Sequence, residues 1–248
     1  MKNVLEFLKE DPKWKADMTR PEPDVTHLME LITRGHPWHG IPFSDGEGCV
    51  NVYIETVPAD TVKYEMDKDT GILKVDRPQK FSNICPTLYG LIPQTYCDTA
   101  VAEYCMSKTG RTKIVGDTDP LDICVLTEKI ITHGDILLRA VPIGGIRMID
   151  SGEADDKIIA VMHNDALYGE WQNIDDCPEA FIDRLKHYFL TYKDLPDAVD
   201  RACEITHIYN RQEAEEVIRR SREDYRNRFG NMPALFVEAL RKAIGGPS

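Results

Sequence analysis

The chain has 248 residues, enough for one substantial core with decorations. Its composition, 42% hydrophobic, 29% charged and 8% aromatic, excludes a disordered or fibrous chain. Forty-two acidic residues against 30 basic ones give a net charge of −12, a field that repels nucleic acid and anionic membrane surfaces, so an anionic substrate needs local cations.

No apolar run reaches the roughly 20 residues that span a bilayer. The opening MKNVLEFLKEDPKWK is too short and too charged in its apolar stretch for a secretory signal, so the expected location is the cytoplasm, with no membrane partner. Seven cysteines, odd in number and without a CxxC pair, read as reduced thiols rather than as a disulfide framework or zinc site. His36 and His39 form an HxxH in HPWHG, but Pro37 and Gly40 oppose the helical turn that would aim both rings at one metal.

Residues 1–48 are expected to form a helical N-terminal extension packed on the body, with residues 49–248 as a single domain. Val4, Leu5 and Leu8 give one short apolar stripe; Val25, Leu28, Leu31 and Ile32 give another, capped by Asp24 and stopped at Gly35. From Asn51 the pattern changes to period 2. NVYIETV, VKYEM and ILKVD read as strands, and DKDTG at 67–71 as a hairpin turn because Gly71 supplies a positive φ. ICVL at 123–126, ILLRAVPI at 136–143 and KIIAV at 157–161 add further strands, and many short strands without alternating helices predict a barrel. Phe181, Ile182, Leu185, Tyr188, Phe189 and Tyr192 mark a core-facing helix with Pro178 as its expected first helical residue. A last long helix starts at Asn210 with Glu213 three residues on, and carries Ala214, Val217, Ile218, Ser221 and Tyr225 along one side.

The segment GDTDPLDICVL, from Gly116 to Leu126, carries the strongest chemical signal. In extended backbone Asp117 and Asp119 project to one face, and Pro120 bends the chain so that Asp122 joins them. Carboxylates brought so close require divalent cations between them, and an oxygen-only donor set favours hard ions such as magnesium, manganese or calcium. An EF-hand loop starting at Asp117 fails, because its sixth position would be Asp122 where glycine is required and the segment that follows reads as strand. Lys63 and Glu65 share a strand face, Arg77 follows the next strand, Asp150, Asp155 and Lys157 lie further on, and Tyr192-Lys193 ends a helix. In a hydrolase for a small polyanion, such cations and phenols grip phosphoryl oxygens while carboxylates hold metals.

These residues resemble the soluble family I inorganic pyrophosphatases. Asp117-Thr-Asp-Pro-Leu-Asp122 is similar to that family's D-x-D-P-x-D signature. Glu55, Lys63-Tyr-Glu65, Asp76-Arg77, Pro86 to Tyr89-Gly90, Asp150, Asp155-x-Lys157 and Tyr192-Lys193 follow in the matching order. The resemblance implies an α+β fold, a five-stranded OB-like β-barrel with flanking α-helices, that hydrolyses pyrophosphate to two phosphates with several magnesium ions, manganese being an alternative. It implies Asp117, Asp122, Asp150 and Asp155 as metal ligands and Asp119 as the group that deprotonates the attacking water. Lys63, Arg77, Lys157, Tyr192 and Lys193 become phosphate-binding residues, and Glu55, Glu65 and Tyr89 a wider polar site. It also implies a homo-oligomer whose partners are pyrophosphate and phosphate.

The chain departs from the family pattern at Cys85, where tyrosine is frequent, at Ser151, where an acid is frequent, in the long stretch between Tyr89 and Asp117, and in the N-terminal extension. Two other readings compete. Another magnesium-dependent phosphohydrolase lacks support from any GxxxxGK[ST] loop, and an OB-type nucleic-acid module needs a basic groove where this chain gathers aspartates.

Overall fold

The computed structural model describes residues 35–44, 46, 48–193 and 203–230, so the two helices expected within residues 1–34 lie outside the described residues. From Gly35, where the second of them was expected to stop, the chain runs in turns to Gly40.

Strand β1 (Val50–Thr56) is buried along its whole length. Its alternation sends Val52 and Ile54 into the main core, while Tyr53 faces a second cluster and Glu55 is buried on that same side of the strand. A hairpin follows, β2 (Val62–Met66) and β3 (Leu73–Pro78), as a separate two-stranded sheet. The main sheet continues with β4 (Leu88–Leu91), the short β5 (Val115–Gly116), β6 (Asp122–Leu126), β7 (Ile136–Asp150), the short β8 (Glu153–Ala154), β9 (Lys157–Met162) and β10 (Cys203–Asn210). Its order runs β1, β4, β6, β9, β7, and β7 also pairs with β1, so the hydrogen bonding returns to its first strand. β6 and β9 are parallel, with Asp122 opposite Lys157.

Period-2 alternation in β6 puts Ile123 and Val125 in one core cluster and Cys124 and Leu126 in another. Each such apolar side chain contributes about 1.5–3 kcal/mol when fully buried. The first cluster is closed by Ala214, Val217 and Ile218 of helix α3 (Arg211–Phe229), the second by Leu185, Tyr188 and Phe189 of helix α2 (Glu179–Thr191). Among the described residues there are three α-helices, and none is long and apolar enough to cross a membrane.

Several boundaries differ from the sequence reading. β7 does not end at Ile143 but runs through Gly144 and Gly145 to Asp150. These glycines are not punctuation, since a Cβ at Gly144 would lie 2.5 Å from the Tyr209 carbonyl oxygen and one at Gly145 2.4 Å from the Tyr209 ring. They let β10 cross closely. Pro178 is the N-cap of α2 rather than its first helical residue. In α3 the Asn210 side chain accepts from the Glu213 N–H at 3.0 Å, while the Glu213 carboxylate reaches Arg147 at 3.0 Å instead of returning to the cap. Helix α1 (Thr99–Thr109) was not foreseen, and its cap is remote: Asp224 of α3 accepts from the N–H groups of Asp98, Ala100 and Val101 at 3.0 to 3.1 Å.

Candidate active site

The hairpin places Lys63 directly opposite Arg77. Lys63 Nζ lies 2.9 Å from Glu65 and 3.4 Å from Asp76, and the Arg77 guanidinium stands 5.6 Å from the centroid of the Tyr192 ring. Burial opposes the charge on Lys63, but Glu65, Asp122 and Asp76 outweigh it and hold its pKa above the ordinary lysine value.

The aspartate loop gains its shape differently from the extended chain expected. Thr118 takes a left-handed φ of 64°, its N–H donates to the Cys97 carbonyl at 3.0 Å, and the Asp119 N–H donates to the Asp117 carboxylate at 2.9 Å. The chain therefore bends at Thr118 and Asp119, ahead of Pro120 where the bend was expected, and it still gathers the acids. Asp117 is pushed well above the usual carboxylate range, first by burial and then by the nearby charge of Asp155 and Asp122.

At the β6–β9 pairing the Lys157 ammonium, 2% exposed, bridges the carboxylates of Asp122 and Asp155. Burial works against that charge, and the two aspartates raise the lysine pKa well above its ordinary value. Tyr89 donates its hydroxyl to Asp122 at 2.5 Å. A tight turn through Ser151 (φ 54°) and Gly152 (φ 90°) joins β7 to β8 and leaves Asp150 at its edge, touched by the Lys193 ammonium. Burial disfavours the Asp150 carboxylate, but Lys193 and Ser151 hold its pKa below the ordinary value. Tyr192 ends α2 as its C-cap and is buried, which raises its pKa.

Asp117, Asp119, Asp122, Asp150 and Asp155 line one cavity of about 180 Å³ together with Lys63, Arg77, Lys157, Lys193, Tyr89 and Tyr192. Glu55 and Glu65 line a smaller neighbouring cavity that shares Lys63, Tyr89, Asp119 and Asp122 with the first. Burial pushes Glu55 up to about 8, against the N–H that Met66 donates to it at 2.7 Å. A more apolar cavity of about 270 Å³ lies elsewhere, lined by Leu88, Val125, Ile131 and Phe181, and carries Lys129 as its one charged residue.

Among the described residues no three carboxyl, thiol or imidazole groups already surround one ion-sized point, and lysine ammonium groups stand between the acids instead. The donor set nevertheless fits a hard divalent cation. It offers oxygen alone and is gathered in one cavity, where the charges of Asp155 and Asp122 add to burial in raising the pKa of Asp117. The sequence reading did not single out Lys68, whose ammonium touches Asp119 from the tip of the β2–β3 hairpin. A lone cation in the DKDTG turn was its signal, and only the folded hairpin shows where it points. Nor did it single out Asn83, whose side-chain amide donates to the Thr191 carbonyl at 3.0 Å, just before Tyr192.

The family model described as inorganic pyrophosphatase matches residues 52–226. A Chlamydia muridarum protein named inorganic pyrophosphatase is 56% identical over 199 residues, covering 78% of this chain and 95% of its own. Soluble inorganic pyrophosphatase 1 of Arabidopsis thaliana is 33% identical over 192 residues, covering 75% of this chain and 82% of its own. Among solved structures, the inorganic pyrophosphatase from Thermus thermophilus matches with a TM-score of 0.64 at 27% identity, covering 77% of this chain and 99% of that one. The family match starts within β1, ends near the close of α3 and encloses every acid and cation of the cavity; the chain belongs to the inorganic pyrophosphatase family.

Proposed function

We propose that the family's reaction, hydrolysis of pyrophosphate to two phosphates, proceeds here by direct attack of water in the cavity between the aspartate loop, the β2–β3 hairpin and the end of α2. The observation that carries this reading is the convergence of five aspartates with Lys63, Arg77, Lys157, Tyr192 and Lys193 on one cavity of about 180 Å³. Asp117, Asp122, Asp150 and Asp155 are the metal ligands. Divalent cations, magnesium with manganese as an alternative, supply Lewis acidity toward water and phosphoryl oxygens and neutralise the acids.

Asp119 accepts the proton of the attacking water, and its side chain, 41% exposed, is more open to water than those of Asp122, Asp150 and Asp155. Water oxygen bonds to phosphorus, the bond from that phosphorus to the bridging oxygen breaks, and the leaving phosphate keeps the electron pair. Arg77, Lys193 and Tyr192 hold the oxygens on which that charge collects, and Lys63 and Lys157 hold the electrophilic group. Glu55, Glu65 and Tyr89 orient the wider polar shell. The closed pairing path of β1, β4, β6, β9 and β7 supports reading the main sheet as a five-stranded OB-type barrel, and the family match over residues 52–226 supports a single catalytic domain, taken as residues 49–248. The same reading gives a cytoplasmic homo-oligomer with pyrophosphate and phosphate as its partners; a net charge of −12 supports the exclusion of nucleic acid.

Phosphate release from pyrophosphate and from a panel of nucleoside triphosphates, with magnesium present, tests the assignment. Two phosphates per pyrophosphate and little from the nucleotides are expected; preference for the nucleotides would replace it with a broader phosphohydrolase.

A further inference from the structure

We propose that the turn His36-Pro37-Trp38-His39 is a positioning element for Asp119, acting on both sides of that carboxylate. This rests on the reading of Asp119 as the proton acceptor. The turn precedes the region matched by the family model, which starts at residue 52.

One arm runs through the hairpin tip. Lys68 touches the Asp119 carboxylate, and the carbonyl of that same Lys68 lies 3.2 Å from His36 Nε2. The His39 N–H donates to His36 Nδ1 at 3.4 Å. A single neutral tautomer satisfies both contacts: Nδ1 accepts, and the Nε2 proton goes to the Lys68 carbonyl. The tip is also seated against the turn sterically. Gly71, at φ 72°, leaves room where a Cβ would come within 2.9 Å of Pro37 Cδ and 3.1 Å of His36 Cα.

The other arm runs through the aspartate loop. The Trp38 indole N–H donates to the Thr95 carbonyl at 2.7 Å, and the Trp38 carbonyl accepts from the Gln94 N–H at 2.9 Å. Thr95 is fully buried, and its hydroxyl accepts from the Leu121 N–H at 2.9 Å, two residues beyond Asp119. Trp38 itself is 4% exposed and packs edge-on against Phe229 at 5.3 Å, which fixes the indole direction. The turn thus holds the cation facing Asp119 and the backbone carrying it. A displacement of the order of an ångström at a proton acceptor costs rate rather than substrate binding.

The test uses the full-length protein with magnesium and compares His36→Ala, Trp38→Phe, Lys68→Met and the double variant of His36→Ala with Lys68→Met. Trp38→Phe keeps an aromatic ring, removes the donor and shortens the side chain at a buried position. His36→Ala and Trp38→Phe are each expected to lower kcat by about 5- to 20-fold with KM for pyrophosphate within twofold. In the Lys68→Met background, His36→Ala should cost less than a further twofold, because the residue it acts through is gone. On metal-free protein, amide exchange at Gly71 in His36→Ala and at Leu121 in Trp38→Phe should accelerate. If Trp38→Phe fails to fold, His36→Ala carries the test alone.

Wild-type kcat in His36→Ala, or the same loss with and without Lys68, would overturn the proposal. Absence of turnover in the wild type would instead reject the reaction assigned above, and with it any role for Asp119 as proton acceptor.

Discussion

Asp122 and Lys157 face each other across the parallel β6–β9 pairing, and the ammonium of one touches the carboxylate of the other. Two strands that begin side by side therefore carry an acid and a cation into the same cavity at fixed spacing. Lys157 is 2% exposed, so its charge acts with little solvent screening. Lys157→Met is expected to lower kcat/KM for pyrophosphate by about 10²- to 10³-fold, the range for losing one preorganised charge-stabilising donor. Initial rates across substrate concentrations check this, and a loss below threefold would remove Lys157 from the phosphate-binding set.

The acids are oxygen donors with no sulfur or imidazole among them, which sets the response to metals. Chelation is expected to abolish phosphate release and magnesium to restore it. Calcium binds at about 2.3–2.6 Å against about 2.0–2.1 Å for magnesium and tolerates looser geometry, so it should bind and inhibit. Rates in magnesium titrated with calcium provide the measurement; full activity in chelator would contradict the proposed chemistry.

Behind the site, Arg147 is completely buried, paired with Asp156 at 2.9 Å and Glu213 at 3.0 Å, and flanked by the rings of Tyr104 and Tyr209 at 5.0 Å each. Burial drives Asp156 toward its neutral form while Arg147 pulls against it. Arg147→Met leaves the Asp156 carboxylate without its cation, and removing one partner of a buried pair costs about 3–5 kcal/mol. Urea unfolding of the variant beside the wild type measures it. A change under about 1 kcal/mol would mean that the core relaxes around the lost charge.

His39 gives a pH signature. Burial first, and then neighbouring His36, depress its pKa from 6.5 to about 4, while its Nδ1 lies 2.9 Å from the Tyr225 hydroxyl. The unfolded chain takes up the proton more readily than the folded one, so the contribution to stability is complete above pH 6.5 and is lost as pH falls through about 4. His39→Gln should therefore gain in melting temperature relative to wild type between pH 7 and pH 4. Parallel curves for the two proteins would show that His39 does not titrate in this window.

Much of the cavity lining was legible because its residues sit in local patterns. The spacing Asp117, Asp119, Pro120, Asp122 runs directly into an apolar strand, and Tyr192-Lys193 closes a helix with a clear apolar stripe. What escaped depends on partners distant in sequence. Helix α1 is capped by Asp224, more than a hundred residues away, so no local N-cap announces it. The end of β7 was hidden by glycines that serve the approach of Tyr209. Strand β10 mixes polar and apolar residues, because most of its positions are only partly covered. Lys68 in DKDTG and Trp38 in HPWHG have no spacing that points at Asp119, and their contacts toward it arise only when the hairpin, the N-terminal turn and the aspartate loop meet.

The most direct measurement is phosphate release from pyrophosphate with magnesium by the wild type and by Asp119→Asn, with circular dichroism to verify that both are folded. The account predicts two phosphates per pyrophosphate for the wild type and a loss of about 10²- to 10⁴-fold in the variant, the scale of a missing general base. Equal turnover by the two folded proteins would contradict it.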